Sequence, residues 1–410
     1  MQSEAQHPSA GVTDSSLDAQ NDKLSRRRFL WLAGLAPLAL AACGQTIAGQ
    51  ASATASASAA PASAAAAASA VASASAKPAA SAAASSKPSA VNSAASSISS
   101  ALSPPSQTIA VFNVGSKDVT LIDAASNEVA GTKPLGAAIR WLGEEQAYWD
   151  GKLIWTYDFP DNKLEMLAID PATWQVVKRI PAGNGPGHSV IVSKDRKTAA
   201  INVAGDNKLL AFDTSSNAQT AAADVGKFPC DLDDSSDGKI LYSPERDQDT
   251  VAMFDAATLK LVKRVEFPSG SKPHMLRVSP DGQTVWVQTA EAGTNVVLKA
   301  SDLSTLATEK VGKTPVTNAW SPDGKWSLVT NQGENTATLF DATTFKPVKT
   351  ITVGQGPAIV SFRQDGKFAY VAVTGANSVA VIDTATWTVA KTLRAGQQPQ
   401  GVIILPPGPR

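Results

Sequence analysis

The sequence predicts an all-β fold: a seven-bladed β-propeller with four antiparallel strands per blade, closed by a blade made of one C-terminal and three N-terminal strands. Three observations predict it. A pattern of turns and short apolar runs repeats from about residue 107 to the C-terminus. An aspartate ends a strand in each of seven copies, as Asp123, Asp170, Asp213, Asp255, Asp302, Asp341 and Asp383. The repeating region also opens and closes out of phase, with Thr108 to Asn113 reading as a second strand and Gly401 to Leu405 as a first strand. One blade must then join both ends, which removes an open sheet edge.

Taken in order, the chain divides into residues 1–42, 43–106, 107–405 and a tail of 406–410. The first segment ends in Ser25-Arg26-Arg27-Arg28-Phe29-Leu30, followed by an uncharged apolar run to Ala42 and then Cys43. Arg26, Arg27, Phe29 and Leu30 resemble a twin-arginine export signal, and Leu40-Ala41-Ala42-Cys43 resembles a bacterial lipobox. The resemblance implies removal of residues 1–42 and acylation of Cys43, leaving the protein lipid-anchored on the outer face of the bacterial cell membrane. The apolar run is too short for a comfortable membrane span.

Within residues 43–106, the chain from about Gly49 to Ser106 is almost entirely alanine and serine, interrupted by Pro61, Pro78, Pro88, Pro104 and Pro105. With nothing bulky to bury, such a segment cannot offset the entropy of folding, and it reads as a disordered tether. At ~5 to 6 Å × √n its ends average roughly 40 Å apart.

Within the repeat each element has a local cause. G-x-x-P, as in Gly354 to Pro357, turns the chain into a first strand, with glycine expected to supply a positive φ. The same turn is marked by Gly183 and Pro186, Gly226 and Pro229, Gly270 and Pro273, Gly312 and Pro315, and Gly396 and Pro399; only Gly136 is followed by Ile139 instead of proline. A second turn follows the first strand, in full form Ser279-Pro280-Asp281-Gly282 and Ser321-Pro322-Asp323-Gly324. Gly375-Ala376-Asn377 turns into a third strand. The closing aspartate then starts the turn to the fourth strand by accepting backbone N–H groups.

Leu328-Val329-Thr330-Asn331, Val379-Ala380-Val381-Ile382-Asp383 and the S-P-D-G turns resemble the YVTN-type seven-bladed β-propeller family over essentially all of residues 107–405. Similar propellers include amine dehydrogenase subunits, the haem d1 domain of nitrite reductase, and bacterial lactonases. The resemblance therefore implies the fold far better than any chemistry.

Charge and motifs narrow the function. Lys plus Arg and Asp plus Glu both number 36, so the net charge is zero and nucleic-acid binding is disfavoured. There is no C-x-x-C-H for covalent haem, no H-E-x-x-H and no G-x-S-x-G. Asp233, Ser235, Asp237 and Gly238 match the start of a calcium loop, but the twelfth position is Pro244, and a blade turn already explains them.

One coincidence stands out. His188, Cys230 and His274 each fall one or two residues after the repeat's proline in successive blades, with Asp231 and Met275 beside them. These five are expected to crowd one mouth of the channel. Imidazole and thiolate suit copper or zinc, so His188, Cys230 and His274 are candidate metal ligands. Trp174 and Trp387 share a place after the closing aspartate and read as packing at blade edges, while Trp286, Trp320 and Trp326 read as core. Trp141, Trp149 and Trp155, in the irregular first repeat, raise the expectation of a binding surface.

The chain is thus expected to be a monomeric binding or interaction scaffold outside the cytoplasm, taking a protein or small-molecule ligand and meeting the membrane only through its lipid. The alternatives are a metal- or cofactor-carrying redox propeller, which twin-arginine export of folded protein would suit, and a lactonase-like hydrolase.

Overall fold

A computed structural model describes residues 107–143 and 148–405; the export signal, Cys43, the tether and the tail lie outside them. Among the described residues no helix is long and apolar enough to cross a membrane. In chain order the strands are β1 (Thr108–Asn113), β2 (Asp118–Asp123) and β3 (Glu128–Pro134); β4 (Ile154–Asp158), β5 (Lys163–Asp170) and β6 (Gln175–Asn184); and β7 (Gly187–Val192), β8 (Thr198–Val203), β9 (Lys208–Asp213) and β10 (Gln219–Asp224). They continue with β11 (Asp233–Asp234), β12 (Ile240–Glu245), β13 (Thr250–Asp255) and β14 (Leu261–Glu266), then β15 (Pro273–Val278), β16 (Thr284–Thr289), β17 (Thr294–Lys299) and β18 (Thr305–Lys310). The last are β19 (Pro315–Trp320), β20 (Trp326–Asn331), β21 (Thr336–Asp341) and β22 (Lys346–Thr352), then β23 (Pro357–Phe362), β24 (Phe368–Val373), β25 (Ser378–Asp383) and β26 (Thr388–Arg394), and finally β27 (Pro399–Leu405).

These strands form seven antiparallel sheets, and the first has the order β27-β1-β2-β3, joining both ends of the propeller as expected. Thr108 faces Leu405 and Phe112 faces Gly401 across the closing ladder. Each sheet is buried inside and wet outside: β23 is buried throughout, whereas β3, β14 and β18 on the rim are mostly exposed. Apolar clusters fill the joints between neighbouring sheets, as where Trp155 and Met166 of the second meet Val190 and Ile201 of the third. At the joint that closes the ring, Arg363 donates to the Ala124 carbonyl, Tyr370 to the Asn127 amide oxygen, and Ser361 Oγ to the Val402 carbonyl at 2.7 Å.

The turns follow their local chemistry. Asp383 Oδ1 accepts the Ala385 N–H at 2.8 Å and Asp341 Oδ1 the Thr344 N–H at 2.8 Å, and such bonds hold the Asp341 carboxyl below the usual carboxylate range. The fifth sheet departs: β17 ends at Lys299, and Asp302 lies three residues on in the turn, taking the Ser304 N–H at 2.9 Å. In the second turn Gly282, Gly324 and Gly366 all sit at φ near 70°, and Arg196 adopts φ 62° where the repeat has lost its glycine. The Asp233 to Gly238 stretch is such a turn, with Ser235 Oγ donating to Asp237 Oδ1 at 2.7 Å. Trp174 and Trp387 take the left-handed conformation of the last turn (φ 57° and 53°) and wedge against Phe112 and Phe362. Trp286 and Trp320 are core; Trp326 is only half-buried.

Two sheets depart from the four-strand pattern at their inner edge. The second has only β4-β5-β6, and the stretch from Ala137 to Leu142 runs where its first strand would lie. The Ala138 N–H bonds Asp158 Oδ2 at 3.0 Å instead of a backbone carbonyl, and Leu142 accepts from Val402 of the neighbouring sheet at 2.9 Å. In the fourth sheet the inner strand shrinks to Asp233 and Asp234, and side chains supply the missing order. Asp231 accepts the Leu276 N–H at 2.9 Å and the Arg277 guanidinium at 2.5 Å, and Ser189 donates to its other oxygen. Both members of the Asp231–Arg277 pair are at most 1% exposed, so removing either strands a buried charge at a cost of about 3–5 kcal/mol. Asp233 Oδ2 takes the Val278 N–H at 2.8 Å. Burial pushes the Asp233 carboxyl up to about 8, against the pull of Arg277 and with help from the Asp234 charge.

Two outcomes follow from these contacts. Deleting Gly401 to Arg410 should unfold the whole propeller in one transition, because β27 is the inner strand of the sheet that closes the ring; a cooperative melt at unchanged temperature would refute the closure. Asp233 keeps its proton in the folded chain while the unfolded chain releases it near pH 4. Stability should therefore decline between about pH 4 and 8, by a few kcal/mol at about 1.4 kcal/mol per pKa unit. Urea denaturation across that window should show the decline in the native chain and a flatter profile in Asp233→Asn.

Candidate functional site

The candidate site is set by the loops that deliver each chain segment to an inner strand. The left-handed residue in these loops is the one immediately before proline: Phe228, Lys272, Thr314 and Gln398 have φ between 50° and 54°, and Gly356 has 67°. A side-chain oxygen at the end of the preceding blade's second-to-third turn captures its N–H. Asn207 holds Phe228 at 2.9 Å, Asp249 holds Lys272 at 2.7 Å, Asn335 holds Gly356 at 3.0 Å and Asn377 holds Gln398 at 2.8 Å. Sequence reading missed these ties, although an Asn or Asp directly before the third strand was there to be seen in five copies, four of which make the tie. The loop glycine has a different job from the one expected at three positions. Gly226, Gly312 and Gly396 lie outside the positive-φ region, and a Cβ on Gly312 would come within 2.7 Å of Asn331. At these positions glycine is needed for close approach to the second strand of the next blade.

The ladders show which inner-strand residues are equivalent. Gly187, Pro229, Pro273, Pro315, Pro357 and Pro399 each pair with the last residue of the second strand of their sheet. His188, Cys230, His274, Val316, Ala358 and Gln400 therefore share one register around the ring, and all six are buried. His188, Cys230 and His274 thus hold equivalent places in their sheets. In the three-stranded sheet, Arg140 and Trp141 stand in the corresponding stretch.

The side chains at this level do not converge on one point. The His188 ring lies 6.3 Å from Tyr157 and 6.1 Å from Phe228. The His274 ring meets Trp141 edge to face at 5.9 Å and 87°. Trp141 belongs to the second blade and His274 to the fifth, so this contact reaches across the axis of the ring, and Trp141 lies over the channel. Trp141 adopts φ 54° there. Among the described residues, no three His, Cys, Asp or Glu side chains are grouped to hold a metal ion, so the set His188, Cys230 and His274 is not a chelate in this geometry. Asp231 is engaged by Ser189, Leu276 and Arg277, and Met275 and Cys230 are buried. Nor do the three tryptophans of the irregular blade make one surface. Trp155 is fully buried with Nε1 on Asp150 at 2.7 Å, and Trp149 packs half-buried on the core of the first two blades.

The mouth has unmet hydrogen-bonding capacity. His274 is 3% exposed, and neither Nδ1 nor Nε2 has a protein partner; Gln400 Oε1, 8% exposed at the same register, also has none. Buried polar atoms are nearly always bonded, so these groups are open to a partner such as water or a ligand.

Comparison with known proteins agrees with the fold. No curated protein matches the chain. Among solved structures, a putative 6-phosphogluconolactonase from Bacteroides fragilis is similar at 15% identity with a TM-score of 0.63, covering 73% of this chain and 98% of that one. Kuenenia stuttgartiensis hydrazine synthase is similar at 21% identity and TM-score 0.57 over 68% of this chain and 92% of that one. Dihydro-heme d1 dehydrogenase NirN is similar at 16% and 0.54 over 70% of this chain and 63% of that one. At these identities the likeness is one of fold, and the three bear different names on it. A family model matches residues 24–362, most of the chain, and with the seven-sheet ring it shows that the chain belongs to the YNCE-like beta-propeller family.

Proposed function

We propose that the chain is an exported, lipid-anchored propeller that works outside the cytoplasm as a binding module, with the channel mouth as the seat of its ligand. The address rests on the Ser25 to Leu30 signal, the Leu40 to Cys43 lipobox and the Ala/Ser tether that follows them. The binding role is carried by His274. A neutral imidazole offers one donor and one acceptor, and Gln400 Oε1 offers a further acceptor. The Trp141 indole lies against the His274 ring. That combination suits a small uncharged molecule that both donates and accepts hydrogen bonds and presents an apolar face to Trp141. Ligand binding would remove the cost of leaving these atoms unpaired, which is about 1–3 kcal/mol for each buried group.

Two measurements test the two halves. Cys43→Ala should abolish fatty-acid labelling and move the chain from the membrane to the soluble fraction; retention on membranes in high salt would sink the anchor. The chain extracted from its own membranes should carry a small-molecule adduct in non-denaturing mass spectrometry that is lost in His274→Phe. Identical bare masses for both would remove the mouth as a binding site.

A further inference from the structure

The sixth and seventh blades hold a cleft on the face of the propeller opposite the channel mouth. It encloses about 450 Å³, within the range of roughly 300–1,000 Å³ usual for small-molecule sites. Its walls are the β19–β20 turn with Pro322 and Asp323, the β23–β24 turn with Asp365, and the start and end of the β25–β26 turn, Thr384 and Trp387. Trp326 lies between them, and its ring meets Trp387 at 5.8 Å and 64°, so the two indoles are not stacked face to face. Both are half-buried.

Trp387 has a structural reason to be there, since Trp174, Leu259 and Leu303 fill the matching left-handed position and are buried between blades. Trp326 also touches the core of these two blades, opening its second strand at a position that is Thr108, Thr198 and Thr284 in three others and Ile240 and Phe368 in two. It is only half-buried there, so part of its indole faces the cleft.

The acids of the cleft are reachable but already neutralised. Asp323 and Asp365 expose 49% and 42% of their side chains, and they pair with Lys325 at 3.0 Å and Arg363 at 2.8 Å. A cation drawn to the indoles would find no net negative charge, and an anion would face two carboxylates. A polyhydroxylated neutral ring meets neither obstacle. Its C–H face lies against the electron-rich indole face while its hydroxyls donate to the spare lone pairs of the two carboxylates.

We propose that this cleft is a binding site for a neutral saccharide, with Trp326 and Trp387 as its apolar platform and Asp323 and Asp365 as acceptors for sugar hydroxyls. Calorimetric titration of the full chain with the β-1,4-linked trimers of glucose and of N-acetylglucosamine tests it. Saturable binding of at least one trimer is expected. It should weaken at least tenfold in Trp326→Thr, which installs the residue of three other blades, and several-fold in Asp323→Asn, which keeps the shape of the acid. His274→Phe should leave it unchanged, which separates this site from the channel mouth. No saturation with either trimer, or undiminished affinity in both cleft variants, would overturn the proposal. So would tetramethylammonium binding where neither sugar does.

Discussion

Every blade of this propeller has two apolar faces, and each must be covered by a neighbour. A row of blades would leave two faces wet; the ring leaves none, and the ladder between β27 and β1 is what makes a ring of the row. The consequences run through the whole molecule. Inner strands are forced side by side around an axis, where they become fully buried, and rim strands are left half-solvated. Irregularity is tolerated only where side chains can replace backbone pairing, as Asp158 does in the second blade and Asp231 and Asp233 do in the fourth.

The same constraint explains why the mouth is chemically uneven. Four of the loops that enter inner strands are tied by an Asn or Asp of the blade before, so the residue after the proline is delivered to a fixed place whatever its type. Val316 and Ala358 occupy that place without cost because they are apolar. His274 and Gln400 occupy it with polar atoms that the ring cannot satisfy. The frame is set by repeated backbone chemistry, and the identity of a single residue per blade decides which polar atoms stand at the mouth.

Much of this was legible in the residues. Turns are local: S-P-D-G, G-x-x-P and the aspartate that ends the third strand act within a few positions, so their recurrence revealed the blade count and the shared closing sheet. Where the local chemistry drifted, reading was less sure. Asp302 marked the right turn but the wrong strand end, because Lys299 holds the equivalent place. The missing strand before Trp141 was visible only as a lost proline at Ile139. The common register of His188, Cys230 and His274 could be read from their distance to proline, but whether their side chains converge could not. That depends on the bulges at the start of each inner strand and on an indole arriving from the far side of the ring. The orphaned nitrogens of His274 are likewise a property of its surroundings, which no spacing encodes.

The closing ladder also decides how the domain would bear load. β1 enters at the face carrying the first-to-second turns and runs toward the mouth between two antiparallel neighbours, β27 on one side and β2 on the other. Tension applied at Gln107 would pull β1 along its own axis. The hydrogen bonds on both flanks would then be strained together in shear, whereas a rim strand such as β26 or β22 would peel away bond by bond. A domain pulled from this end meets the force with its most deeply embedded pairing, and the joint that makes the ring is also the one that resists its being drawn open.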